Sequence, residues 1–180
     1  PHMTKEELQE IIESKRNNLK SDRLDMSFGE IASMYSQDEI IIDPEYQRLF
    51  RWSQEQQSRF IESILLGIPI PPIFVAENKD GIWEVVDGLQ RISTILSFMG
   101  ILKNMPEKNN WKLKTGDLIK EIDGFGYTEL TPKTQMTIKR FVCRIEILNW
   151  NSKIDIRYEL FNRLNTGGTK LSDQEIRNCI

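Results

Sequence analysis

Apolar residues recur every three or four positions in several segments of this chain, which is the spacing of one face of an α-helix. Four of these segments begin with a capping box, in which a Ser or Thr precedes a Glu or Gln by three residues. The boxes span residues 4–7, 27–30, 53–56 and 172–175. We predict a helix after each box, and three further helices that begin near residues 88, 131 and 153.

Short runs rich in β-branched and aromatic residues lie between these helices and predict β-strands. They cover residues 39–42, 73–75, 82–86 and 141–147. The second and third runs enclose Asn78-Lys79-Asp80-Gly81, which is typical of a hairpin turn. Residues 100–131 contain scattered glycines and predict a loop-rich insertion with short helices. This mixture predicts one α+β domain over residues 4–180.

The strand at 82–86 leads directly into Asp87-Gly88-Leu89-Gln90-Arg91, which we name the 87–91 turn. The N–H groups and dipole of a helix N-terminus favour a phosphate. Arg91, which we expect to be exposed, can add a planar fork of donors, and Asp87 can hold Mg²⁺ through its carboxylate. A capping Asp beside a surface Arg is the plainer interpretation, and both stay open on this motif alone.

A second polar segment follows the first predicted strand. Tyr46-Gln47-Arg48 lies in a predicted loop, followed by Arg51-Trp52. Gln47 and Arg48 are candidates to contact the phosphates of a nucleotide or of DNA. The alternatives are a half-buried Tyr46 beside a solvated Arg48, with Trp52 packing the start of the next helix.

Composition narrows the possible chemistry. The one histidine, His2, lies in Pro1-His2-Met3, which is typical of a cloning scar, and this excludes His-dependent proteases, zinc sites and nucleases within the chain. Cys143 and Cys179 lack metal-site spacing and favour a reduced, cytoplasmic setting. No apolar run approaches the roughly 20 residues of a membrane span. The chain stops inside its last predicted helix, so we expect it to be part of a longer protein.

Three motifs occur in a set order along the chain: Tyr46-Gln47-Arg48, the 87–91 turn, and the stretch 161–168, which reads FNRLNTGG. In this order they resemble the N-terminal domain family of GmrSD-type restriction endonucleases, which is similar in turn to the ParB and sulfiredoxin superfamily. The resemblance covers roughly residues 27–180 and is poor between residues 101 and 130. It implies a ParB/sulfiredoxin-like fold, a small mixed sheet with flanking helices that forms a nucleotide pocket.

The resemblance also implies a function. It indicates a regulatory domain that binds and hydrolyses a nucleoside triphosphate with Mg²⁺, within a modification-dependent restriction or phage-defence system. The DNA-cutting nuclease is then expected downstream or on a partner subunit, and DNA is contacted by the full-length protein. Asp87 and Arg91 would be catalytic, and Asp87 and Asn165 would hold the metal. The nucleotide-binding residues would be Gln47, Arg48, Gly88, Gln90, Arg91, Arg163 and Asn165.

Two other functions stay open. In the first, the domain senses modified DNA without hydrolysis, with Tyr46, Arg51 and Trp52 facing the duplex, although the net charge of −3 disfavours this. In the second, it is an adaptor of the partitioning or toxin–antitoxin kind that binds nucleotide without hydrolysis. Sulfiredoxin chemistry is excluded, because Leu89 stands where that reaction needs a thiolate.

Overall fold

The computed structural model describes residues 2–150 and residues 163 and 164 of the chain. The helices that lie wholly within these ranges are α1 Lys5–Asn18, α2 Phe28–Ser36, α3 Pro44–Gln47, α4 Gln54–Leu65, α5 Leu89–Phe98 and α6 Pro132–Lys139. The strands are β1 Leu19–Ser27, β2 Ile40–Ile41, β3 Ile73–Glu77, β4 Trp83–Asp87 and β5 Val142–Trp150. No helix in these described ranges is both long and apolar enough to cross a membrane.

The five strands form one mixed sheet in the order β1-β5-β3-β4-β2. β1 runs antiparallel to β5 over nine residue pairs, from Leu19 opposite Trp150 to Ser27 opposite Val142. β5 runs parallel to β3, β3 antiparallel to β4, and β4 parallel to β2. Helices and a mixed sheet in one chain confirm the predicted α+β class.

Local capping signals set most helix starts. The Ser27 hydroxyl accepts from the Glu30 N–H, and the Glu30 carboxylate accepts from the Ser27 N–H. The same reciprocal pair joins Ser53 and Gln56 at the start of α4. Predicted helices after residues 4, 27, 53, 88 and 131 are confirmed. The fourth box, at 172–175, and the bulk of the helix predicted from residue 153 lie outside the described residues.

The core lies between the sheet and the helices α2, α4 and α5. It is made of fully buried aliphatic and aromatic side chains, including Phe28, Ile61, Ile73, Ile92 and Phe98. Burial of each such side chain contributes roughly 1.5–3 kcal/mol relative to exposure. The predicted loop-rich insertion is confirmed by three short 3₁₀ turns at Pro106–Lys108, Lys120–Ile122 and Tyr127–Glu129.

Two elements differ from the sequence expectation. β1 was not predicted, because charged residues interrupt any alternation of apolar side chains along it. Tyr46 and Gln47 lie in the one-turn helix α3 rather than in a loop. That helix begins because the Asp43 carboxylate accepts from the Glu45 N–H and Pro44 occupies the first helical position.

Candidate functional site

The 87–91 turn joins the end of β4 to the start of α5. Gly88 has φ +102° and stands at the N-cap of α5, where no side chain caps the helix. The backbone angle favours glycine, and a Cβ atom at this position would overlap the Cδ1 atom of Ile73, which would have to shift. The first turn of α5 therefore begins with N–H groups that no capping side chain satisfies.

Arg91 is held by the backbone and by Asp87. Its Nη1 atom donates to the carbonyl oxygens of Pro71 and Pro72, the latter at 3.0 Å. Its Nη2 atom lies 3.5 Å from Asp87 Oδ2, and the side chains of Arg91 and Asp87 are 13% and 26% exposed. The expectation that Arg91 is exposed is wrong, because the proline-rich segment before β3 presents carbonyl groups that draw the guanidinium inwards.

Burial dominates the electrostatics of this pair. It raises the pKa of Asp87, and the charge of Arg91 and the Gly88 N–H oppose that rise. Burial also lowers the pKa of Arg91, against the charge of Asp87. Each charge has lost part of its hydration and regains only part of it from its partner. A bound cation would therefore stabilise the charged form of this partly buried carboxylate.

Gln90 fastens the neighbouring loop to the turn. Its Oε1 atom accepts from the N–H groups of Arg51, at 2.9 Å, and Trp52, at 3.0 Å. Its Nε2 atom donates to the Leu49 carbonyl oxygen at 2.7 Å. The loop of residues 48–52 is thus fixed to the first turn of α5 by three hydrogen bonds from one side chain.

Tyr46 and Gln47 belong to the same packing. The Tyr46 hydroxyl donates to the Val86 carbonyl oxygen at 2.9 Å, and the ring is 5% exposed. Gln47 is fully buried, and its Nε2 atom donates to Ser93 Oγ at 3.0 Å. Within the described residues its Oε1 atom is buried without a hydrogen-bond partner. Contacts of these two side chains with phosphate or DNA stay predictions and would require α3 to move.

The remaining predicted residues are exposed, partly buried or outside the described ranges. Arg48 is exposed and forms an ion pair with Glu45 at 3.1 Å, and Arg51 is also exposed. Trp52 packs edge-on against Phe60 of α4, with ring centroids 5.6 Å apart, as expected of a residue that packs the helix start. Arg163 is exposed. Asn165 lies outside the described residues.

At this turn, the described side chain suited to ligate Mg²⁺ is the carboxylate of Asp87. The described residues contain no cluster of three or more His, Cys, Asp or Glu side chains suited to hold a metal ion. Mg²⁺ commonly uses one or two carboxylates together with waters and substrate phosphates, so a single Asp beside a phosphate site fits it.

Three groups that build this site were not predicted. They are the carbonyl oxygens of Pro71 and Pro72, which hold Arg91, and the hydroxyl of Ser93, which holds Gln47. The prolines of Pro69-Ile70-Pro71-Pro72 favour an extended backbone, but they do not indicate what its carbonyl groups contact.

The family model described as GmrSD restriction endonuclease, N-terminal domain, matches residues 28–180. The chain belongs to this family. No curated protein and no solved structure matches the chain. Membership confirms the predicted family and makes this GmrSD-type domain a restriction and defence module. The match includes α3, the 87–91 turn and β5, whereas α1 and β1 precede it.

Proposed function

We propose that this GmrSD-type domain binds and hydrolyses a nucleoside triphosphate at the 87–91 turn, with Mg²⁺, and thereby regulates DNA cleavage. The observation that carries the proposal is the Asp87–Arg91 pair at the uncapped start of α5. A helix start with unsatisfied N–H groups favours phosphate oxygens, and the adjacent carboxylate suits the cation that accompanies a triphosphate.

The described residues would have three roles. Asp87 would hold Mg²⁺, which when bound neutralises phosphate charge. Arg91 would position Asp87, since its Nη1 atom already donates to the carbonyl oxygens of Pro71 and Pro72. Arg48 and Arg51 add positive charge from a loop that Gln90 fixes to the same turn. Positioning and charge stabilisation are what phosphoryl transfer chiefly requires of a protein.

Detection of modified DNA is the second candidate function. Its support is the exposure of Arg48 and Arg51, whose charges suit a phosphate backbone. Tyr46 and Trp52 weaken it, because one is buried and the other packs on Phe60. In either case, the nuclease would be another domain or a partner subunit.

The test is thermal unfolding of the chain with ATP, GTP, CTP and UTP in turn, with and without Mg²⁺, followed by phosphate release. A ligand at a hundredfold excess over Kd adds about 2.7 kcal/mol to the free energy of unfolding. We expect one or more triphosphates to raise Tm with Mg²⁺ and to release phosphate. Binding without phosphate release would favour the adaptor function, and duplex binding without any triphosphate effect would favour the DNA sensor.

The substitution Asp87→Asn tests whether Mg²⁺ acts at the 87–91 turn or only through the net charge of the protein. It should remove the Mg²⁺-dependent part of the Tm rise while leaving the domain folded. Asp117→Asn is the matched control, because Asp117 forms an exposed ion pair with Arg59 at 3.8 Å in another part of the molecule. If both substitutions reduce the Tm rise equally, the assignment to the 87–91 turn is wrong.

A further inference from the structure

β1 forms one edge of the sheet in the described part of the chain. β5 lies on its inner side, and residues 21–25 are exposed. Leu24, at the middle of the strand, is 44% exposed although its cross-strand neighbour Ile145 is fully buried. A strand edge of this length offers a row of N–H and C=O groups to another strand.

The charges of β1 are paired across the β1–β5 ladder. Arg23 lies opposite Glu146, at 3.2 Å, and Asp25 lies opposite Arg144, at 3.8 Å. These four side chains share one face of the sheet, because side chains alternate between faces along a strand. Leu24 and Ile145 share the opposite face. The edge thus has a charged face and an apolar face.

A second copy of the chain can pair with this edge only in a few registers. A twofold axis between two antiparallel strands of one sheet is perpendicular to that sheet, so each residue meets one on the same face. A twofold axis at Asp22, Arg23 or Asp25 would place that residue opposite its own copy, so two like charges would face each other. An axis at Ser21 would engage only residues 20–22, because the Leu19 N–H already bonds carbonyl groups at the end of α1. An axis at Leu24 engages residues 22–26, up to Ser27, whose N–H already donates to Glu30.

The register with its axis at Leu24 is complementary on both faces. Arg23 of each copy meets Asp25 of the other, which extends the existing pairs into a continuous row of alternating charge: Glu146, Arg23, Asp25, Arg144. On the other face Leu24 meets Leu24, between the two buried Ile145 side chains. Opposite charges and apolar side chains directly across antiparallel strands are both favourable.

We propose that two copies of this chain dimerise through their β1 edges, with Leu24 on the twofold axis, to form one ten-stranded sheet. Residues 19–27 lie outside the matched family segment. The dimer is therefore inferred for this chain and is independent of the proposed nucleotide site.

Sedimentation of the chain over a wide range of concentration tests the dimer, and charge exchange tests the register. We expect a reversible monomer–dimer equilibrium. Arg23→Asp and Asp25→Arg should each raise the dimer dissociation constant about tenfold, because each opposes like charges twice. The double variant Arg23→Asp/Asp25→Arg should recover dimerisation. Within each monomer, both substitutions of this double variant face a like charge, at Glu146 and at Arg144. A recovered dimer could therefore come only from pairing between the two copies.

Leu24→Asp and Leu66→Asp complete the test. Both leucines are 44% exposed, but Leu66 lies at the end of α4. Leu24→Asp should weaken the dimer and Leu66→Asp should not, with circular dichroism confirming that both are folded. A monomer at all concentrations would overturn the proposal and show that the β1 charges instead prevent edge pairing. A dimer that the double variant does not recover would overturn the register and the proposed interface with it.

Discussion

The 87–91 turn and the α1–β1 end of the molecule hold their polar side chains in different ways. At the turn, Tyr46, Gln90 and Arg91 all bond backbone groups of distant segments. At the other end, α1 buries no residue, and Arg23 and Asp25 bond side chains across one strand pair. Side chains that satisfy buried backbone groups fix the shape of a loop, whereas exposed ion pairs contribute little. Substitutions in the two regions should therefore differ strongly in effect.

The largest effect is expected for Gly88→Ala. The positive φ costs about 1–2 kcal/mol and the overlap with Ile73 a further 1–3 kcal/mol, so the free energy of unfolding should fall by about 3 kcal/mol. Gly81→Ala is the matched control, since Gly81 has φ +80° and open space around its Cβ position. Urea unfolding of both variants measures the difference. Equal losses would mean that packing against Ile73 contributes nothing.

The second largest effect is expected for Gln90→Leu. It leaves one carbonyl and two N–H groups of the 48–52 loop without their partner, which should cost about 2 kcal/mol. In α1, Gln9→Leu removes an exposed bond to Glu13 and should change stability by less than about 0.5 kcal/mol. Urea unfolding of both variants compares the two regions directly. A similar loss in each would contradict the contrast between them.

A smaller, pH-dependent effect is expected for Asp87→Asn. Burial raises the pKa of Asp87 above its ordinary value of 3.8, so the folded protein binds this proton more tightly than the unfolded chain. Protonated Asp87 therefore stabilises the folded state at pH values below the ordinary pKa. This stabilisation is lost as pH rises through the pKa of Asp87 in the folded state. Wild type should therefore lose stability relative to Asp87→Asn as pH rises from acid to neutral.

Urea unfolding of wild type and Asp87→Asn at a series of pH values measures this difference. Asp117→Asn, at an exposed position away from both the turn and the β1 edge, corrects for the change in net charge. A stability difference that stays constant with pH, or that changes in the opposite direction, would contradict the assigned shift in the pKa of Asp87.

The smallest effect is expected from removal of residues 1–17. No side chain of α1 is buried, so the deletion should change the free energy of unfolding by less than about 1 kcal/mol. Thermal unfolding of the shortened chain measures this. A loss comparable to that of Gln90→Leu would show that α1 supports the fold through contacts other than burial.

Elements with local signals could be predicted from the sequence. The pair Ser53 and Gln56 sets the start of α4, and Asn78 with Gly81 sets the hairpin between β3 and β4, because each signal and its consequence lie within a few residues. Asp43-Pro44 directly follows the strand predicted over residues 39–42 and caps α3, so the start of this helix also has a local signal in the sequence.

Elements that depend on distant partners could not be predicted. β1 has no regular alternation, and its partner strand lies more than a hundred residues later. The burial of Arg91 depends on the carbonyl groups of Pro71 and Pro72, and every residue has a carbonyl group, so no residue type marks them. Gln90 was predicted to bind a nucleotide, and its bonds to the 48–52 loop could not be foreseen because they depend on the tertiary fold.

The position of β5 has a consequence for the order in which the protein folds during synthesis. β5 is the last strand in sequence, yet it lies between β1 and β3 in the sheet. Until the ribosome has released residue 150, β1 has no neighbouring strand among the described elements, and β3 is paired only with β4. Closing so long a stretch of chain is entropically costly before the new contacts form, which slows folding. From the synthesis of β3 until residue 150 is released, a nascent chain therefore carries two strand edges that await β5, and this is when it should be most prone to aggregate.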